Sequence, residues 1–172
     1  WLYIKDNSKE KTGKITGGNT TGYGGAFLIR PYSAVSIEGC EISGNYADEG
    51  GGIYIVGDSL LSLDGVKITG NKAGTVGGGV CNTGSDSFDS AYDGDFFVGG
   101  DTVICGNEKS DGTADNVHFR FGEARAYKVN IKQCMGQYDG DIPYSPLKEG
   151  ARIGVNSNWD NFQMTREDSW FD

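Results

Sequence analysis

The stretch Ile42-Ser43-Gly44-Asn45-Tyr46-Ala47-Asp48-Glu49-Gly50-Gly51-Gly52-Ile53-Tyr54-Ile55 returns as Ile68-Thr69-Gly70-Asn71-Lys72-Ala73, followed by Gly77-Gly78-Gly79-Val80-Cys81-Asn82. The frame starts earlier, at Ile15-Thr16-Gly17-Gly18-Asn19 and Gly24-Gly25-Ala26-Phe27-Leu28-Ile29, and reappears at Ile104-Cys105-Gly106-Asn107. Asn19, Asn45, Asn71 and Asn107 are spaced by 26, 26 and 36 residues. Between them, Val35-Ser36-Ile37-Glu38-Gly39 matches Leu61-Ser62-Leu63-Asp64-Gly65. Self-similarity at such a period is the mark of a stacked-repeat architecture.

Inside a unit the alternation has period two, as in Leu61-Ser62-Leu63 and Val66-Lys67-Ile68, which puts apolar residues on one face of a strand. No apolar pattern with a 3.6-residue period persists, so strands are expected to dominate. Each unit offers three short strands: one after the glycine cluster, one of the Leu-Ser-Leu type and one of the Val-Lys-Ile type. Three strands and three bends per unit describe one coil of a parallel β-helix, a solenoid whose coils stack at about 4.8 Å. The leucine-rich alternative needs a Leu-x-x-Leu-x-Leu frame that is absent. Asn116–Phe119, Tyr127–Ile131 and Ala151–Val155 are read as a last, irregular coil. The expected organisation is an all-β solenoid of about five coils over residues 1–156, roughly 26 residues per coil, closed by a capping tail at 157–172. The opening segment resembles the middle of a coil, and we read the chain as a fragment of a longer protein with flanking domains.

This organisation accounts for an unusual composition. Of 172 residues 29 are Gly, about 17% against a usual 7%. Glycine tolerates the positive φ and close backbone approach that corners need. Asparagine accepts similar bends and bonds local backbone, so Asn19, Asn45, Asn71 and Asn107 are predicted to form a ladder of amides. Ile15, Ile42, Ile68 and Ile104 are predicted to stack inward. The net charge of −9 provides no basic face for nucleic acid. No apolar run approaches the length needed to enter a bilayer.

The pattern Ile-x-Gly-Asn, then Ala, then Gly-Gly-Gly-Ile-Tyr resembles the right-handed β-helix repeats of bacterial surface proteins, including adhesin-like and polymorphic outer-membrane-type proteins. Asn45-Tyr46-Ala47 with Gly50–Tyr54, and Asn71-Lys72-Ala73 with Gly77–Val80, carry the likeness, and Gly150-Ala151-Arg152-Ile153-Gly154-Val155 resembles their endings. The resemblance implies a right-handed solenoid, a secreted or cell-surface location and an adhesive role toward a glycan or a host or cell-surface protein. It brings no catalytic motif.

Candidate sites are few. The third unit is ten residues longer than its neighbours, with the excess around Thr83–Asp95. There Asp86, Asp89, Asp93 and Asp95 gather carboxylates of the kind that hold Ca²⁺, although neither the EF-hand nor the Gly-Gly-x-Gly-x-Asp spacing is present. No other cofactor is indicated. Phe88 and Tyr92 in the same insertion, with Tyr23, Tyr46 and Tyr54, are candidate contacts for a sugar or protein. Leu28, Tyr54 and Cys81 are expected to form one outward apolar row covered by a loop or partner. Cys40, Cys81, Cys105 and Cys134 lack Cys-x-x-Cys spacing, and Cys40 is expected to be buried. The single histidine, His118, is expected at the surface or in the cap. The alternative function is a polysaccharide lyase or glycosidase, or its carbohydrate-binding accessory domain, which requires carboxylates placed across a bond.

Overall fold

The computed structural model describes residues 1–84, 95–120, 129–131 and 147–157. Among them there is no helix, and four parallel sheets are built from short strands, numbered in chain order. Sheet I takes β1 (Leu2–Lys5), β4 (Ala34–Glu38), β8 (Leu60–Asp64), β12 (Asp95–Gly99) and β16 (Val129–Ile131). Sheet II takes β2 (Lys14–Ile15), β5 (Glu41–Ser43), β9 (Lys67–Thr69), β13 (Val103–Ile104) and β17 (Arg152–Ile153). Sheet III takes β6 (Tyr46–Glu49), β10 (Lys72–Val76) and β14 (Glu108–Lys109). Sheet IV takes β3 (Phe27–Ile29), β7 (Ile53–Ile55), β11 (Val80–Asn82), β15 (Val117–Phe119) and β18 (Val155–Ser157).

The three middle repeats therefore hold four strands each where the hydrophobic pattern predicts three. The unforeseen strands are those of sheet III, whose only fully buried side chains are Ala47 and Ala73. Buried alanines, with Lys109 in register with them in the next repeat, leave no hydrophobic signature. The first repeat keeps only isolated bridges there, Asn19 with Tyr46 and Tyr23 with Glu49. After β17 the chain passes through Gly154 straight to β18, so sheet III receives no strand from the last repeat.

The core is a set of stacked rows. Ile15, Ile42, Ile68, Ile104 and Ile153 lie in register on sheet II, with Ile42, Ile68 and Ile104 fully buried. Sheet I contributes Val35, Leu61 and Phe96, and Ile37, Leu63 and Val98; sheet IV contributes Ile53, Val80 and Val117. Burying each such aliphatic side chain contributes about 2 kcal/mol, and each row is completed by the repeat above it. Cys40 shares its position with Val66 and packs in this core, its thiol donating to the Glu38 carbonyl at 3.3 Å.

At the corner before sheet III sits a row of buried amides. Asn45 Nδ2 donates to Asn71 Oδ1 at 2.9 Å, and Asn71 Nδ2 to Asn107 Oδ1 at 3.0 Å. The same oxygens accept the backbone N–H of Asn45 and Asn71 at 3.1 and 3.0 Å. Asn19 does not belong to the row, contrary to the expectation. The doubled glycine of Gly17-Gly18 adds a residue, so Gly18 stands opposite Asn45 and donates its N–H to Asn45 Oδ1 at 2.9 Å. Asn19 moves one place along and is exposed. At the other end Asn116 closes the row, its Oδ1 accepting from Asn107 N at 2.9 Å and from Asn107 Nδ2 at 3.2 Å. Asn116 occupies a glycine position of the bend before sheet IV, outside the Ile-x-Gly-Asn frame, and spacing alone could not reveal it.

The extra length of the third repeat falls mainly between β11 and β12, where residues 83–94 replace a connection of residues 56–59 one repeat earlier. A smaller part is a register shift between Ala73 and Val76 in β10. Strand β18 runs through Ser157, so the proposed 156/157 boundary cuts a strand; the remainder of the predicted cap lies outside the described residues.

Before β2, Asp6 organises the loop to Gly13. Its carboxylate accepts the N–H of Ser8 and of Gly13, each at 2.7 Å. The Ser8 side chain and these backbone donors hold its pKa at about 2, below the ordinary 3.8. A carboxyl lowered in this way stabilises the fold above its unfolded pKa, and that stability is lost as pH falls through the folded value. Asp6→Asn is therefore expected to flatten the fall in stability between pH 4 and 2. Urea midpoints measured across that range check this; parallel curves for variant and parent would refute it.

Candidate functional site

Alternation along the strands of sheet IV sends Leu28, Tyr54, Cys81 and His118 outward in one register row. The row is open at Leu28, which is 38% exposed, and closes at Tyr54, Cys81 and His118, which are 7%, 0% and 3% exposed. His118 is thus buried, where surface or cap placement was expected. Two neighbours help cover the row. The Tyr23 ring packs on Tyr54 with centroids 4.6 Å apart and planes tilted by 38°. Arg120, whose N–H donates to Asn82 O at 2.8 Å, sends its guanidinium back to Glu49 two repeats away. To make that ion pair its side chain has to cross the level of Cys81.

The electrostatics follow from this packing. Burial, then the nearby Cys81 and Glu49, push the Tyr54 hydroxyl well above the ordinary phenol value. Burial, with Glu49 adding to it, pushes the Cys81 thiol up to about 12. Burial opposes the charge on Arg120, yet Glu49 and Tyr54 together hold its pKa above the usual arginine value. Behind the row, Asp115 Oδ2 accepts the Gly77 N–H at 2.8 Å and lies 3.4 Å from His118 Nδ1. Among the described residues, His118 Nε2 and Asp115 Oδ1 are buried without a hydrogen-bond partner.

A thiol, an imidazole and a carboxylate adjoin here, the residue types of thiol catalysis. Burial works against that chemistry here, because a fully buried thiol whose pKa is raised disfavours the thiolate it needs. What the face offers a ligand is Tyr23, 51% exposed, the open end of the row at Leu28, and the partly exposed Arg120 with its carboxylate partner.

Of the residues singled out from the sequence, Tyr23 and Tyr54 come together. Tyr46 does not join them; it lies on sheet III, in register with Asn19 and Lys72. Asp86, Phe88, Asp89, Tyr92 and Asp93 lie outside the described residues, and Asp95 is placed only by its backbone, paired with Leu60. Among the described residues no group of three or more His, Cys, Asp and Glu side chains is arranged to hold a metal ion. Cys40, Cys81 and Cys105 are free thiols.

Glu49, Asp115 and Arg120 were missed by the sequence reading. The Asp115-x-x-His118 spacing was a usable signal; the Glu49–Arg120 pair, 71 residues apart, had none. Tyr32 was missed as well. It is 89% exposed with φ +62°, at the turn between sheets IV and I, where Asp58 takes φ +60° one repeat later and residues 83–94 follow in the next. A bulky residue in the left-handed region is strained and persists only where its surroundings impose it. No protein-family model, curated protein or solved structure matches the chain.

Proposed function

We propose that this chain is a right-handed parallel β-helix of about five coils, acting as a stiff, non-catalytic module of a secreted or cell-surface protein that presents one face to a glycan or protein. Support for the architecture comes from the order of the sheets, visited I, II, III, IV in the three middle repeats and I, II, IV in the first and last, with parallel strand pairing within every sheet. Parallel crossovers are overwhelmingly right-handed, which sets the hand of the proposal. Support for the binding role comes from one observation, the Tyr23–Tyr54 ring pair beside the Glu49–Arg120 ion pair. An exposed ring face with converging donors and acceptors is the chemistry by which a protein surface takes hold of a sugar ring or a partner side chain.

The test is a binding screen against immobilised neutral and acidic polysaccharides and cell-surface proteins, comparing the parent with Tyr23→Ala. The expected result is at least one binder whose affinity falls about tenfold or more in the variant, a loss near 1.4 kcal/mol. A screen without binders reduces the role to that of a spacer. Chain cleavage of any polymer in the same assay replaces the binding reading with a carbohydrate-active enzyme.

A further inference from the structure

Sheet II turns a patterned row of side chains outward. Lys14, Glu41, Lys67, Val103 and Arg152 stand in one unbroken register, each preceding the isoleucine that its strand sends into the core. Alternation along the strand therefore points all five away from the core. Lys14, Lys67 and Arg152 are exposed, and Glu41 and Val103 are half-buried. Cations thus recur on every second strand of the sheet, roughly 9.6 Å apart at the usual strand spacing.

The acid within the row is already held. Glu41 binds Lys14 at 2.8 Å and accepts from Ser43 Oγ at 2.7 Å. Those two contacts, with Lys67 adding from the other side, keep its carboxyl below the ordinary range. Among the described residues Lys67 and Arg152 make no ion pair, whereas Lys5, Lys72, Lys109 and Arg120 each have a carboxylate partner. At the corner ahead of the row, the Asp101 carboxylate lies over Gly65 and bonds neither cation. On the other flank Thr69 follows Ser43 in register. The bend beyond them is open: among the described residues, no atom outside their own chain neighbours lies within 4 Å of a carbon added at Gly70 or Gly106.

We propose that the outer face of sheet II binds an extended acidic polysaccharide laid across its strands, one in which a ring bearing a carboxylate alternates with an uncharged ring. An extended chain of six-membered sugar rings advances by about one strand spacing per ring, so its charged rings fall on Lys14, Lys67 and Arg152. The uncharged rings fall on Glu41, whose free lone pairs accept ring hydroxyls, and on Val103, a small apolar seat for a ring face. Thr69 offers a hydroxyl beside the row. A polymer charged on every ring would set one carboxylate against Glu41 and another on Val103 without a partner, and both placements are unfavourable. This face is separate from the Tyr23–Tyr54 pair, so either surface can fail its test while the other stands.

The probes are an oligosaccharide of hyaluronan, with a carboxylate on alternate rings, and a polygalacturonate oligomer of equal length, with one on each ring. Calorimetric titration into the intact protein is expected to show saturable hyaluronan binding that weakens with added salt. Affinity is expected to fall about tenfold or more when Lys67→Glu and Arg152→Glu are combined, and by a smaller factor for Lys67→Gln with Arg152→Gln. Both positions are exposed, and unchanged circular dichroism shows that each variant is folded. Tyr23→Ala is expected to leave this affinity unchanged. Absence of hyaluronan binding, or binding that neither double variant weakens, overturns the proposal. Equal or tighter binding of polygalacturonate overturns the match to alternate rings and the proposal with it. Loss of binding in Tyr23→Ala alone assigns the glycan to the ring pair and overturns the role of sheet II.

Discussion

Asn71→Leu is expected to lower the free energy of unfolding by about 4 kcal/mol, the effect of leaving several buried polar groups unpaired at once. The Asn71 amide accepts from Asn45 N and Nδ2 and donates to the carbonyls of Ile42 and Thr69 and to Asn107 Oδ1. All these atoms belong to buried or partly buried groups, and leucine offers none of them a partner. Each unsatisfied buried group costs about 1–3 kcal/mol, less than additively where groups share a network. Asn71→Asp discriminates further, since it keeps an acceptor but loses both donors and buries a charge; it is expected to be at least as damaging. Asn19→Ala is the control, expected within about 0.5 kcal/mol of the parent because Asn19 is exposed and outside the row. Urea denaturation measures all three. A loss below about 1 kcal/mol for Asn71→Leu would show that the row follows the fold without holding it together.

Gly51→Ala is the second large effect. The added methyl would sit 2.3 Å from the Lys72 carbonyl oxygen and 2.6 Å from that of Gly78. Both are backbone atoms of the next repeat, so relief requires the repeats to separate, and about 3 kcal/mol or more is expected. The comparison is Gly70→Ala. Gly70 has φ +62° and, among the described residues, no atom beyond its own chain neighbours within 4 Å of the added carbon, so its cost is conformational, about 1–2 kcal/mol. Gly70→Asn is expected to recover part of that loss, since asparagine tolerates the left-handed region, whereas Gly51→Asn is expected to recover none. Equal losses at the two alanine variants would refute the distinction between close approach and backbone hand.

These two substitutions touch the features that were easiest to read from the amino acids. A corner needs a residue of permitted φ, and a stacked amide needs an asparagine at a fixed interval, so both leave a mark at a single position in every repeat. Asn45, Asn71 and Asn107 were legible for that reason, as were Ile42, Ile68 and Ile104. The error at Asn19 shows the limit of such reading. Alignment on the letter Asn ignored the extra glycine, whereas pairing counts residues from Ile15, and that count puts Gly18 opposite Asn45.

The candidate site was less legible. Tyr54 was recognisable as outward from its place between two inward isoleucines, and its row with Leu28 and Cys81 followed from the repeat. What covers that row did not follow. Glu49 and Arg120 become neighbours only after one whole repeat has stacked between their segments, and the length of the intervening insertion does not determine the pair.

By itself, then, the sequence determined the period, the gathering of glycines at the bends, the inward rows and the location of the long insertion. Each of these is a local requirement, repeated until it stands clear of chance. The tertiary structure decided the fourth strand of the middle repeats, the replacement of Asn19 by Gly18, the closure of the amide row by Asn116 and the Tyr23–Tyr54–Glu49–Arg120 surface. These depend on which residues meet across repeats, and such meetings are set by register and by the space left after the core has packed.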